Sequence, residues 1–301
     1  MVTEARTMVS ELSRPRIRLA LIEKSLEERF VNIDGIAIRY VVAGSGSPLL
    51  LIHGFGAFIE VWWRNISALC QDYRVYALDL PGHGLSDNFN YEYTIPNFTR
   101  FLDSFMEAVG IKRASIIGHS MGGSVSTSLA VDFPERVDKL IIEDAVGPGK
   151  RMPLRYQICT LPLIGEILLY PTTRSNIEYG LRKSFYNMSV VTTEMVETHY
   201  QLLKLPGVKK TMLSIVRSGR KLRQYYAGTF ILDRLRQIKS PALIIHGAQD
   251  RSVPLAHAYE YYGLITNSRL KIFQECGHCP HIEQALRYNE TVIDFLNEKS
   301  S

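Results

Sequence analysis

Long apolar runs are scarce in this chain of 301 residues. The most apolar window, MPLRYQICTLPLIGEILLYP at 152–171, is interrupted by Arg155, Gln157, Pro162 and Glu166. A bilayer-crossing helix needs about 20 predominantly apolar residues, so no transmembrane segment is expected. The first residues, MVTEARTMVSELSRPRIRLALIEK, alternate charges with short apolar stretches and lack the uninterrupted apolar core of a signal peptide. Residues 1–28 therefore read as a helical or frayed arm, and a cytoplasmic protein is expected. Cysteines number only four, and without an export signal their thiols are expected to stay reduced. No nucleic-acid recognition motif and no aromatic–basic interleaving on a strand occurs, so nucleic acid is not an expected partner.

Charge is present but uneven. The net charge is +5, yet the segment from Val146 to Lys239 holds 16 Lys and Arg against 5 Asp and Glu, leaving 19 against 25 elsewhere. That segment also interrupts an otherwise regular pattern. Short runs rich in β-branched residues and leucine recur: PLLLIHGFG at 48, YRVYALDLPGHG at 73, RASIIGHSMGG at 113, VDKLIIEDAVG at 137, SPALIIHGAQD at 240 and SRLKIFQECGH at 268. Runs apolar on both faces suit buried parallel strands. Helical stretches lie between them, such as IPNFTRFLDSFMEAVG, which ends in Gly110. The alternation predicts an α/β fold with a parallel sheet, and RFVNIDGIAIRYVVAG predicts an antiparallel hairpin turning at Asp34-Gly35. After Ile142 the next strand begins near Ala242, too far for one crossover helix. The surplus reads as an inserted helical cap.

Chemistry-bearing residues fall at the predicted strand ends. Gly118, Ser120 and Gly122 have G-x-S-x-G spacing between a strand and a helix, where a sharp turn holds the serine strained and exposes its hydroxyl. A serine needs a base, and the base a carboxylate. Asp250 follows the strand ALIIHG and His278 follows RLKIFQ, both at carboxyl ends where such folds assemble their sites. The loop HGFG at 53–56 can offer the Phe55 N–H, which with that of Met121 would form an oxyanion hole; losing one such donor typically costs about 3 kcal/mol. His53 reads as a brace for that loop and His119 as a residue behind the site. Asp79 and His83 read as loop-holding, and Phe58, Trp62, Trp63 and the tyrosines of the insertion as packing. Glu143 and Asp144, after the preceding strand, compete with Asp250 for the role of acid.

Together HGFG, DLPGHGLSD, GHSMGG, GAQDRSVP and CGHCPHIE make the chain, from about Phe30 to Leu296, resemble the α/β-hydrolase family with a cap. The resemblance implies a mostly parallel eight-stranded sheet with helices on both faces. Its core would comprise residues 1–145 and 240–301, with the cap at 146–239. It also implies Ser120 as nucleophile, His278 as base, Asp250 as orienting acid and Phe55 and Met121 as oxyanion donors, with neither cofactor nor metal. The expected partner is a small ester or acyl compound, anionic if arginines and lysines of the cap line the entrance (Arg151, Arg155, Arg174, Arg182, Lys183).

A serine at the elbow argues against the family's dehalogenases and epoxide hydrolases, which use aspartate there. Ester hydrolysis through an acyl-enzyme is the leading expectation. Carbon–carbon hydrolysis of ring-cleavage products is the alternative; those enzymes share SMGG and the cap, but commonly carry Asn where His119 stands. Peroxidases and acyltransferases share the triad, and a slow-turnover ligand receptor is the reading from another class. The stretch ECGHCP also has the spacing of a redox pair or half a zinc site. Six consecutive residues can hardly wrap one tetrahedral ion with Cys276, His278, Cys279 and His281, so the loop reads as one that presents a histidine.

Overall fold

The computed structural model describes residues 26–88, 92–146, 173–226 and 232–298, with isolated positions between 158 and 165. Most of the expected arm, and most of the 152–171 window, lie outside the described residues. Glu27 and Glu28, assigned to the arm from sequence, already belong to the first strand.

Eight strands form one sheet: β1 Glu27–Ile33, β2 Ile36–Ala43, β3 Ser47–Ile52, β4 Tyr73–Leu78, β5 Ala114–His119, β6 Val137–Glu143, β7 Ala242–Gly247 and β8 Ser268–Phe273. Their order is β1-β2-β4-β3-β5-β6-β7-β8. β1 and β2 pair antiparallel, as do β2 and β4, and the remaining pairs are parallel. The hairpin between β1 and β2 turns where expected: Asp34 and Gly35 take φ of 51° and 85°, the positive values a tight two-residue turn requires. The chain leaves β3 toward β4 on one side and pairs β5 on the other, which puts a topological switch point at the carboxyl end of β3.

Leu49, Leu50, Leu51 and Ile52 are fully buried because helices cover both faces of the central strands. On one face Ile52, Leu78 and Ile116 pack with Phe98 and Phe105 of α1 (Ile95–Ala108) and Leu129 of α2 (Met121–Asp132). On the other, Leu51, Ile117 and Ile245 pack with Trp62, Phe273 and Tyr288. β8 departs from the expected buried run. As the edge strand it exposes Arg269 and Lys271, charges that discourage pairing with another chain.

Three longer helices lie between β6 and β7: α3 Arg174–Ser184, α4 Thr193–Leu203 and α5 Val208–Tyr226. Thr173 and Thr192 cap α3 and α4 through their side-chain oxygens. The insertion is pinned to the sheet layer by polar contacts. Glu283 accepts from the backbone N–H groups of Tyr186, Asn187 and Gly277, and Thr211 Oγ1 donates to Asn88 Oδ1 at 2.7 Å. After β7, α6 (Ala256–Leu264) and α7 (Ala285–Asn297) complete the helical layers. Among the described residues, no helix is long and apolar enough to cross a membrane.

Candidate active site

β5 ends at His119 and α2 begins at Met121, so Ser120 takes the whole turn, with φ 53° and ψ −116°. A serine pays strain in this conformation, and surrounding contacts must enforce it. Its N–H donates to Glu143 O at 2.8 Å. A Cβ on Gly118 would stand 2.4 Å from Gly122 O, and one on Gly122 2.3 Å from Ile52 O. Both flanking positions therefore admit only glycine, which gives the G-x-S-x-G pattern its steric cause. Ser120 also sits at the positive end of α2.

His278 lies on the loop after β8, its N–H held by Ser184 O of α3 at 2.7 Å. Its Nε2 is 3.1 Å from Ser120 Oγ, and its Nδ1 is 2.6 Å from Asp250 Oδ2. The other oxygen of Asp250 accepts from Ser252 N–H at 2.6 Å and Val253 N–H at 3.0 Å. Burial opposes ionisation of Asp250, but His278 and these donors outweigh it and hold the carboxyl below its ordinary range. Nδ1 is thereby the protonated nitrogen, and Nε2 turns its lone pair to the serine hydroxyl.

Neither rival acid bonds His278, whose Nδ1 is held by Asp250. Glu143 Oε1 accepts from His281 Nδ1 at 2.6 Å and from its N–H, while Oε2 accepts from Tyr288 OH. Asp144 Oδ1 accepts from Gly247 N–H at 3.0 Å; burial, and then the Asp250 charge, push its carboxyl well above the usual range and favour the neutral acid.

The HGFG loop runs against the serine. A Cβ on Gly54 would come within 2.9 Å of Ser120 Cβ, and Phe55 and Gly56 line the cavity in front of it. Met121 opens α2, so its N–H has no intrahelical acceptor. His53 bridges the loop to the next one: Nε2 accepts from Leu80 N–H at 2.9 Å and Nδ1 donates to Gly54 O at 2.8 Å. Burial pushes it down to about 4. Asp79 accepts from Ile59 and Leu85 N–H groups and pairs with buried Arg39, and His83 Nδ1 lies 3.1 Å from Pro81 O. His119 Nε2 donates to His278 O at 2.8 Å, with its ring 4.8 Å from those of His278 and His281. Burial, then His281 and His278, hold it well below the usual histidine range.

The cysteines bracket this histidine without joining it as a ligand set. Burial pushes both the Cys276 and the Cys279 thiol up, away from the thiolate a metal or redox site needs. His278 and His281 already serve Asp250 and Glu143. Among the described residues, the group whose donor atoms could converge on an ion is Asp144, Asp250 and His278, the last two of which are joined by the 2.6 Å hydrogen bond.

In front of Ser120 lies a cavity of about 540 Å³. Its floor is the HGFG loop with His119, His278 and Cys279, and its roof is formed by the insertion, including Ile177, Tyr179, Phe185 and His199. Sequence reading missed these roof residues and had assigned Tyr179 to packing. The available signal was the helical period that puts His199 one turn after Met195. Trp62 and Trp63 do not line the cavity, and buried Phe58 supports His199 from behind at 4.6 Å between rings. Three of the basic residues named as candidates for the entrance have surface partners. Arg174 pairs with Glu197 at 2.7 Å, Arg182 with Glu178 at 2.8 Å, and Lys183 sits over the Tyr179 ring; none of the three lines the cavity. Arg151 and Arg155 lie outside the described residues.

Comparison with known proteins agrees with this architecture. A family model described as alpha/beta hydrolase fold matches residues 47–157 and 211–285. The chain is 30% identical to the 2-hydroxy-6-oxo-6-(2'-aminophenyl)hexa-2,4-dienoic acid hydrolase of Metapseudomonas resinovorans, over 92% of this chain and 93% of that one. It is 31% identical to the dihydrolipoyllysine-residue acetyltransferase component of the acetoin cleaving system of Cupriavidus necator, over 87% and 67%. Among solved structures, the meta-cleavage product hydrolase of Pseudomonas fluorescens IP01 superposes with a TM-score of 0.79 at 28% identity, covering 92% of this chain and 98% of that one.

Proposed function

Because the chain belongs to the α/β-hydrolase fold family, we propose that it is a serine hydrolase of small acyl compounds, with carboxylic esters as its substrates. Ser120 is the nucleophile, His278 the base, Asp250 the acid that orients it, and the N–H groups of Phe55 and Met121 the oxyanion donors. Residues 146–239 form the cap over a core of residues 1–145 and 240–301. The observation that carries the reading is the unbroken chain from Asp250 to His278 at 2.6 Å and from His278 to Ser120 at 3.1 Å, at the floor of a cavity.

In the cycle, Ser120 Oγ attacks the ester carbonyl as His278 Nε2 takes its proton. The carbonyl oxygen becomes an oxyanion beside the HGFG loop and the start of α2. His278 returns the proton to the departing alkoxide, leaving an acyl-serine and an alcohol. Water, deprotonated by the same nitrogen, then releases the acid and restores Ser120.

The choice of ester rests on the lining. Its described side chains are apolar, hydroxyl, amide, thiol or imidazole, with no lysine or arginine among them. A neutral substrate is desolvated in such a cavity at small cost, whereas a carboxylate must be desolvated there without a cation among the described lining residues. The second reading, carbon–carbon hydrolysis of a dienoate, is supported by the names of the relatives. A steady-state screen of neutral esters beside a ring-fission dienoate separates the two. We expect esters to be turned over many times, and Ser120→Ala to remove at least about a thousandfold of that rate. Turnover confined to the dienoate would select the second reading, and stoichiometric release with either would point to a ligand receptor.

A further inference from the structure

The roof of the cavity presents one polar ring whose orientation is fixed from two sides. His199 Nδ1 lies 2.8 Å from Met195 O, one turn back on α4. A carbonyl only accepts, so Nδ1 carries the proton and, in the neutral ring, Nε2 carries a lone pair. The ring is backed by Phe58, itself 1% exposed. It lines the same cavity as Ser120, and no described residue bonds Nε2. The roof therefore offers a preorganised acceptor without a partner among the described residues.

We propose that His199 is a specificity-determining acceptor: its Nε2 receives a hydroxyl or amide N–H of the substrate, away from the scissile bond. The site would thus favour an acyl compound bearing such a donor over one bearing a carboxylate, whose oxygens would face a lone pair. Burial, which pushes His199 down to about 4, keeps the ring an acceptor at neutral pH. The proposal rests on the reading of this cavity as the hydrolytic site.

The test uses binding rather than turnover. Calorimetry on Ser120→Ala measures Kd for an alkyl hexanoate and for its analogues with one hydroxyl moved along the acyl chain and along the alcohol, together with a terminal carboxylate. At one or more hydroxyl positions, binding about tenfold tighter than the parent ester is expected, with the carboxylate weaker than the parent. Adding His199→Leu should bring the hydroxyl ratio to near one. His199→Gln, which keeps an acceptor, should retain part of it, and His199→Met reads the same ratio should the leucine variant not fold. A ratio near one at every position in Ser120→Ala, or a ratio that survives His199→Leu, overturns the proposal. Turnover of the parent ester by the wild-type protein is scored separately: no turnover with the ratio intact would sink the hydrolase reading and leave the acceptor standing.

Discussion

The floor and the roof of the cavity are built by different means. On the floor, functional groups sit at strand ends and are fixed by backbone: Ser120 by the turn into α2 and by Glu143 O, His278 by Ser184 O, Asp250 by two N–H donors. On the roof, side chains are presented by helices whose register depends on packing, and Tyr179 is 61% exposed while lining the cavity. The difference teaches a division of labour. A rigid floor can hold a reaction geometry constant while the roof varies, which is how one fold comes to serve many substrates.

The sharpest way to break that division is on the floor. Asp250→Asn is expected to lower kcat by several orders of magnitude, because an amide cannot hold the imidazole in the working tautomer or stabilise imidazolium. Asp144→Asn should cost less than about tenfold, since an amide closely mimics the neutral carboxyl favoured there. Steady-state kinetics on one ester checks both, and the reverse ranking would transfer the acid to the end of β6.

A second effect concerns the stability of the floor. His53 is held uncharged by burial, its pKa near 4 against an ordinary value of 6.5. The folded state thus binds fewer protons than the unfolded one between those values. Stability is full above pH 6.5 and lost as the pH falls toward 4, by roughly 3 kcal/mol for this group. Thermal denaturation from pH 7.5 to 4 should show the melting temperature falling, with a shallower fall in His53→Gln. Identical slopes would mean that His53 is not buried neutral.

The smallest effect is expected at the joint. Glu283 accepts N–H groups from the roof loop at Tyr186 and Asn187 and from the His278 loop at Gly277. Glu283→Gln weakens these bonds, and kcat/KM should fall by about tenfold while the fold, followed by circular dichroism, persists. A change in KM alone would mean that the clamp serves only the roof.

The two regions also differ in how far the sequence announces them. Gly118, Gly122 and Gly54 stand where any Cβ would collide with backbone or with Ser120, so the residue types are dictated and the motif can be read directly. Asp250 and His278 were legible because strand ends are legible. What favours Asp250 over its rivals is geometry alone, its bond to His278, since the partners of Glu143, namely His281 and Tyr288, are far away in sequence. That the insertion is helical is legible in the sequence, but which face of α4 or α5 meets the cavity is not. The excess of basic residues suggested a charged entrance. Among the described residues Arg174, Arg182 and Lys183 instead meet local partners, as Arg182 does with Glu178 one turn away, and a count of charges cannot see that. β8 read as buried because its edge position is a property of the sheet order.

The proposal's central claim, that Ser120 is a nucleophile activated through His278, is tested most directly by a fluorophosphonate, which phosphonylates an activated serine in a single step. Intact-mass measurement should show one phosphonyl group on the wild-type protein, located by peptide mapping at Ser120, with no addition to Ser120→Ala and strongly slowed addition to His278→Ala. Labelling at another residue, or none on the folded wild-type protein, would contradict the account.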